Sequence, residues 1–231
     1  MRGREMYYAN RQLMLEQLTE VEARVLGSLV EKQLTTPEYY PLTMNALTAA
    51  CNQKSNRDPV VSYDETTIMA AIDSLRDKNL VYLYYGSSSR AVKYKHMMPS
   101  VFDLDAAGVA LVAVLLLRGP QTIGELRERT GRLHEFTGLG EVQEALDGLT
   151  RRDEPLITKL ERQPGQKEAR YAHLLCGPVD QSAAAPARET REASSSGKED
   201  KIARLESEIE NLRADFTSLR DTFEEFRKQF E

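Results

Sequence analysis

The chain contains an internal repeat, and this duplication constrains its architecture more than any other feature. Each copy begins with an apolar-periodic helix, and each then carries the pattern Pro-x-Thr-[Met/Ile]-x-x-Leu. The helices are predicted over 19–33 and 105–117, and the patterns start at Pro41 and Pro120. A third helix and two strand-like segments follow in each copy, and the second strand ends in [Lys/Arg]-Tyr-x-His. Landmarks that recur in the same order indicate two equivalent structural units.

Helix and hairpin signals predict the fold of each unit. Thr19, Ser62 and Thr122 are each followed three residues later by a glutamate, which is the capping-box spacing of a helix start. In the first copy, strands are predicted over 80–85 and 91–95, with a Gly-Ser turn between them. Three helices and a β-hairpin are the winged-helix arrangement, a helix-turn-helix variant. The prediction is therefore a mainly α fold with small β-hairpins (α+β) that contains two tandem winged-helix domains.

Composition divides the chain further. Residues 178–198 are rich in Ala, Ser and Pro, which bury little surface, so this stretch is predicted to be a flexible linker. The remaining segments are predicted to be an N-terminal extension (1–15), winged-helix domain 1 (16–102), winged-helix domain 2 (103–177) and a coiled coil (199–231).

The C-terminal segment has the seam of a coiled coil, with apolar residues at alternating spacings of three and four. In a parallel pair, Glu208 and Asp215 at g would face Arg213 and Arg220 at the following e positions, which favours parallel association. The alternative is one amphipathic helix docked on its own chain. The strict repeat favours a homodimer, and Phe at a leaves dimer versus trimer open. The predicted oligomerisation residues are Ile202, Leu205, Ile209, Leu212, Phe216, Leu219, Phe223, Phe226 and Phe230.

Two stretches resemble the signatures of the YceH-like family of bacterial tandem winged-helix proteins, which lacks an established molecular function. They are Cys-Asn-Gln-Lys-Ser-Asn-Arg-Asp-Pro-Val at 51–60 and Leu-Leu-Arg-Gly-Pro-Gln-Thr-Ile-Gly-Glu-Leu-Arg at 116–127. The resemblance runs from about Leu18 to Leu175. It implies a bacterial source and the tandem winged-helix fold, and it carries over no catalytic residue.

Local positive charge suggests where such a fold would contact DNA. Winged helices commonly place the third helix in the major groove and the hairpin on the backbone. The first hairpin groups three cations without an acid, and the loop of residues 52–57 offers amide and cationic donors to phosphates or base edges. A purely structural turn is an equally weighted interpretation of that loop, and plain solvation of the hairpin is an equally weighted interpretation of its cations. The candidate DNA-binding residues are Asn52, Gln53, Lys54, Asn56, Arg57, Arg90, Lys93 and Lys95.

Other polar groups favour different interpretations. The third helices are acidic, with Glu65, Asp73 and Asp77 in the first copy, so direct base readout by them is doubtful. Hairpin packing is the favoured role for the interleaved Tyr82, Tyr84, Tyr85 and Tyr94. A charged, solvated face is the favoured interpretation of Arg118, Arg127, Arg129 and Arg132.

Several function classes find no support in the sequence. It lacks a phosphate-binding Gly loop, His-Glu-x-x-His and paired Cys-x-x-Cys, so we expect no enzyme activity, catalytic residue, metal or cofactor. The longest apolar run, 106–117, is shorter than the roughly 20 residues of a membrane span. Two cysteines fit a reducing cytoplasm. The leading hypothesis is a cytoplasmic protein that binds double-stranded DNA, of the transcriptional-regulator type; the alternative is a protein–protein adaptor, which the net charge of −5 suits better.

Overall fold

The computed structural model describes residues 17–85, 91–162 and 166–179. The predicted N-terminal extension, residues 180–198 of the predicted linker, the whole predicted coiled coil and Arg90 lie outside the described residues. Every described residue belongs to one compact unit.

The first repeat folds into three main helices and a three-stranded antiparallel sheet. The sheet has the order β1-β3-β2, so the last strand lies in the centre. A 3-10 turn, Pro37–Tyr39, separates the first helix from the first strand. The elements are α1 (Glu20–Thr35), β1 (Leu42–Thr43), α2 (Met44–Cys51), α3 (Glu65–Asp77), β2 (Val81–Tyr84) and β3 (Lys93–His96).

The second repeat has the same order of helices and strands and the same sheet topology, β4-β6-β5. A short helix, α4 (Met98–Phe102), connects the two repeats. The elements are α5 (Ala106–Arg118), β4 (Gln121–Thr122), α6 (Ile123–Thr130), α7 (Leu139–Thr150), β5 (Ile157–Lys159) and β6 (Arg170–His173). The predicted α+β class, helices with small antiparallel sheets, is confirmed.

Helix starts follow the capping chemistry at two of the three predicted positions. Thr19 and Thr122 each form a complete capping box, in which the hydroxyl accepts from the glutamate backbone N–H and the carboxylate accepts from the threonine N–H. The prediction at Ser62 is wrong. Asp64 caps α3 instead, because its Oδ1 accepts from Thr67 N at 2.7 Å and lies directly before the helix.

The two repeats share one hydrophobic core, and α1 and α5 pack against each other at its centre. Residues 108–117 of α5 are all buried, which explains a helix that is apolar on every side. Gly27 lies at this contact: a Cβ there would lie 3.0 Å from Leu117 Cγ and 3.1 Å from Leu116 Cβ. Glycine therefore permits the close approach of the two helices.

We expect Gly27→Leu to lower the free energy of unfolding by about 1–3 kcal/mol or more, because the added side chain overpacks this contact. Gly148→Leu is the matched control: a Cβ there meets nothing within 4 Å, so the better helix former should raise stability by roughly 0.5–1 kcal/mol. Urea denaturation measures both values. Equal stability of the Gly27→Leu variant and the wild type would contradict the close packing.

In the part of the chain that the structure describes, no helix has both the length and the apolar character needed to cross a membrane.

Candidate nucleic-acid interface

The first sheet presents a face of alternating tyrosine and lysine side chains. Along β2, Val81 is buried while Tyr82 and Tyr84 are exposed, since successive residues of a strand point to opposite sides. Strand β3 places Tyr82 opposite Lys95 and Tyr84 opposite Lys93. The two lysines thus share one side of the sheet, as strand alternation predicts. We call Tyr82, Tyr84, Lys93 and Lys95 the Tyr–Lys face.

The sequence favours packing of the hairpin as the role of its four tyrosines, and the structure supports that role for one of them. Tyr94 is 5% exposed and belongs to the core. For Tyr82, Tyr84 and Tyr85 that interpretation is wrong, because 49%, 47% and 71% of their surface is exposed. Alternation turns the first two toward solvent, and Tyr85 follows the last residue of β2. Large aromatic side chains are thereby available to a partner.

The charge of the lysines on the Tyr–Lys face distinguishes the first repeat from the second. Neither Lys93 nor Lys95 forms an ion pair with any residue in the described ranges. In the second repeat the position of Lys93 is held by Arg170, which donates to Glu125 Oε2 at 2.9 Å. Glu125 comes from the capping box of α6, and the equivalent residue of α2 is Ala46. The first repeat therefore lacks the carboxylate that neutralises the second.

The second sheet does not reproduce this face. Thr158 lies opposite Ala172, at the positions that Tyr82 and Lys95 occupy in the first sheet. Lys159 is exposed, but it is paired in register with Tyr171, on the opposite side of the strand from Thr158. Its Nζ lies 5.8 Å from the centre of the Tyr171 ring, a cation–π distance. The two repeats have thus diverged in surface chemistry while keeping the same topology.

Arg57, a predicted DNA contact, lies in the interior. Its guanidinium is fully buried, and Nη2 donates to Glu31 Oε2 at 2.7 Å. The same group donates to Ala50 O at 2.8 Å and to Gln53 Oε1 at 3.2 Å, while Nη1 donates to Asn56 O at 2.8 Å. These bonds tie the loop to α1 and to the end of α2. The guanidinium is therefore not available to phosphates in this structure.

Most other side chains of loop 52–57 form hydrogen bonds within the protein, and one cation is exposed. The amide of Asn52 donates to Tyr63 O at 2.7 Å and accepts from Tyr63 N at 2.8 Å, which closes the loop. Gln53 accepts from Arg57, and Asn56 is half-buried with a positive φ of 58°. Lys54 is exposed. The structural interpretation thus accounts for Asn52, Gln53 and Arg57, and Lys54 alone among the loop's cations faces solvent.

The exposed side of α3 is acidic. Glu65, Asp73 and Asp77 all face solvent. Arg76 is the one cation of this helix, and its Nη1 lies 3.0 Å from Asp73 Oδ1. Met69, at the middle of the helix, is 40% exposed. A phosphate backbone would be repelled from this side of the helix.

Burial keeps two histidine rings uncharged and both thiols protonated at neutral pH. Burial lowers the pKa of His96 and of His173 to about 4, so both rings are neutral at pH 7. Burial raises the pKa of Cys51 and of Cys176 to about 11, so both thiols stay protonated and are weak nucleophiles. No group of His, Cys, Asp or Glu able to hold a metal ion occurs within residues 17–85, 91–162 and 166–179.

Comparison with known proteins places the chain in a family. Residues 18–166 match the family described as "Protein of unknown function, DUF480". The chain is 57% identical to the UPF0502 protein of Opitutus terrae over 173 residues. This aligned region covers 74% of this chain and 75% of that protein. The chain is 56% identical over 214 residues to that of Citrifermentans bemidjiense (93% and 98%) and 52% identical over 217 residues to that of Geobacter metallireducens (93% and 98%). The expected membership of an uncharacterised bacterial family is confirmed: the chain belongs to the DUF480 family, together with these UPF0502 proteins.

Proposed function

We propose that this protein binds double-stranded DNA in the cytoplasm through the Tyr–Lys face, with its two repeats acting as tandem winged helices. The observation that carries the proposal is the pairing of two uncompensated lysines with two exposed tyrosines on one side of the first sheet. The C-terminal segment would hold two copies together as a parallel coiled coil. A role in transcriptional regulation is consistent with such a protein.

The topology supports the winged-helix assignment. Each repeat has three helices and a three-stranded antiparallel sheet whose last two strands form a hairpin. In winged-helix complexes the hairpin commonly contacts the DNA backbone. The Tyr–Lys face lies on that hairpin, between β2 and β3.

The chemistry of the face suits phosphates and sugars. Lysine ammonium groups neutralise phosphates and release condensed counterions, so binding weakens as salt rises. Tyrosine hydroxyls donate to phosphate oxygens and help to fix orientation on the duplex. Such contacts carry little sequence information. Because the exposed side of α3 is acidic, we expect the backbone to provide most of the affinity.

The test is fluorescence anisotropy of the full-length protein with a labelled mixed-sequence duplex, titrated from low to physiological salt. Lys93→Gln/Lys95→Gln should weaken binding by on the order of tenfold at low salt and reduce the slope of log affinity against log salt by about 2. Each lost phosphate contact removes about one counterion from that slope.

The matched control is Lys159→Gln/Lys167→Gln, which removes two exposed lysines from the second repeat. This variant should bind like the wild type. Equal affinity of the Lys93→Gln/Lys95→Gln variant and the wild type would reject the Tyr–Lys face as the interface. Absence of wild-type binding at low salt would reject DNA as the partner.

A protein–protein adaptor is the second candidate, and the exposed acidic side of α3 around Met69 favours it. Such a surface would suit a partner protein whose binding surface is basic at the edge and apolar at the centre, where it would contact Met69. Purification from bacterial lysate should then enrich one protein stoichiometrically after nuclease treatment, and Asp73→Lys should abolish that enrichment. Recovery of nucleic acid alone would exclude this candidate.

A further inference from the structure

A cleft lined by arginines lies where the two repeats meet. Its polar lining comes from α1, from the loop after α2, from α5 and from the end of α6, and its apolar walls are Val114, Leu117 and Leu133. We call this the arginine cleft. Its polar lining residues are Glu31, Thr35, Asn56, Arg118, Arg129 and Arg132.

The sequence favoured a solvated charged face for the arginines of the second repeat. The structure instead brings Arg118, Arg129 and Arg132 into this one cleft, although they lie on different elements of the chain. Arg127 is exposed and is not part of the cleft lining. The convergence depends on α5 packing against α6 and on the loop that follows α6.

The cleft holds more positive charge than its carboxylates can balance. Arg118 and Arg132 have no ion-pair partner in the portion of the chain that the structure describes. Arg129 lies 3.5 Å from Glu125, but that carboxylate is held more closely by Arg170 at 2.9 Å.

The one carboxylate among the lining residues is already engaged. Glu31 accepts from the buried Arg57 at 2.7 Å. Among the described residues, no carboxylate therefore pairs with the guanidinium group of Arg118 or of Arg132.

The electrostatic environment of Arg118 agrees with this excess. Its pKa is lowered first by burial and then by repulsion from Arg129 and Arg57, and Asp58 and Glu31 offset only part of that effect. A bound anion would relieve the repulsion.

Guanidinium groups recognise oxyanions through paired N–H donors, and they do so best in partly buried sites. The space in the cleft that the centre of a water-sized sphere can occupy is about 20 Å3, which exceeds the roughly 10–15 Å3 that one water molecule requires. The space suits a compact oxyanion group, and any organic remainder would extend toward solvent. Asn56 brings an amide from the first repeat, so an anion in the cleft would contact both repeats.

We propose that the arginine cleft binds a phosphate group, either as inorganic phosphate or as the phosphate of a small ligand. Arg118 and Arg132 supply the unpaired guanidinium donors, Arg129 adds positive charge, and the aliphatic walls exclude water on the inner side. The site is separate from the Tyr–Lys face and does not depend on DNA binding.

The test is isothermal titration calorimetry of the full-length protein with inorganic phosphate and, separately, with glycerol 3-phosphate. Thermal unfolding in phosphate and in chloride at matched ionic strength gives an independent readout. Wild type should bind with a Tm that rises with the logarithm of phosphate concentration. Tighter binding of the ester would identify a small phosphorylated ligand as the source, and equal or weaker binding would identify free phosphate.

Arg118→Gln/Arg132→Gln should weaken phosphate binding by at least about tenfold, because it removes both unpaired guanidinium groups. Its Tm in chloride should equal or exceed that of the wild type, since charge repulsion falls. The single variant Arg132→Gln, at an exposed position, keeps the test valid if the double variant folds poorly. Arg127→Gln is the matched control and should bind like the wild type.

Two results would overturn the proposal. One is a Tm in about 10 mM phosphate no higher than in matched chloride. The other is equal phosphate affinity of the Arg132→Gln variant and the wild type. If duplex DNA displaces phosphate and Arg118→Gln/Arg132→Gln lowers DNA affinity more than Lys93→Gln/Lys95→Gln does, the cleft is a DNA contact and the small-ligand assignment is rejected.

Discussion

Replacing Arg57 with methionine is expected to lower the free energy of unfolding by about 3–5 kcal/mol, because the change leaves the Glu31 carboxylate buried without its partner. The guanidinium is fully buried, bonds to Glu31 at 2.7 Å and also satisfies the carbonyl of Ala50. Urea denaturation of the two proteins at neutral pH measures the difference. A loss below about 1 kcal/mol would show that the pair does not organise the loop.

Two further variants separate charge burial from loss of packing. Arg57→Met/Glu31→Leu should recover much of the stability, since well-packed apolar replacements of a buried pair are often tolerated. Arg76→Met is the matched control at the exposed pair with Asp73, where Arg76 is 43% exposed. It should cost no more than about 1 kcal/mol, because solvent screens exposed ion pairs.

Acidification from pH 6.5 to pH 4 is expected to destabilise the fold steeply through His96 and His173. The ordinary pKa of histidine is 6.5, and burial lowers the pKa of each of these rings to about 4 in the folded state. The unfolded chain therefore binds protons in this interval while the folded chain does not. The contribution of the two neutral rings to stability is fully present above about pH 6.5 and is lost as the pH drops toward 4, by at most about 3 kcal/mol for each ring.

Urea denaturation between pH 7 and pH 4.5 measures this loss. His96→Asn/His173→Asn should flatten the decline, since asparagine does not titrate and can still accept the bond that Met98 N donates to His96 at 3.3 Å. His134→Asn, which leaves both buried rings in place, should retain the decline. An unchanged slope in the double variant would assign the acid sensitivity to carboxylates instead.

The local features of this fold could be predicted because they depend on residues that are close in sequence. The hydroxyl and carboxylate of a capping box are three residues apart, so Thr19 and Thr122 identify the helix starts directly. Alternation along β3 places Lys93 and Lys95 on one side of the strand, whatever packs against it. Asp64 shows the limit of such patterns. Ser62 has the capping-box spacing to Glu65, but Asp64, two residues later, is the residue that caps the helix.

The chemical role of the charged residues could not be predicted in the same way. Arg57 lies in a polar loop whose composition is typical of a surface, yet its partner Glu31 is on α1, 26 residues away. No local pattern shows which of six adjacent polar residues enters the core. The exposure of Tyr82 and Tyr84 likewise depends on which side of the sheet the helices cover, and the strand register places Tyr94 on the other side of the sheet from them.

By itself, the sequence determined the duplication, two of the three predicted capped helix starts, the strand alternation and the family, because each depends on residues that lie near one another or on the order of landmarks. Tertiary structure alone decided that α1 and α5 pack at Gly27, that Arg57 is internal, and that Arg118, Arg129 and Arg132 converge. The physical reason is that burial and charge compensation are properties of pairs of distant residues. Two repeats with nearly the same pattern therefore acquired different surfaces. Glu125 neutralises Arg170 in one; in the other, where Ala46 holds that position, Lys93 has no ion-pair partner among the described residues.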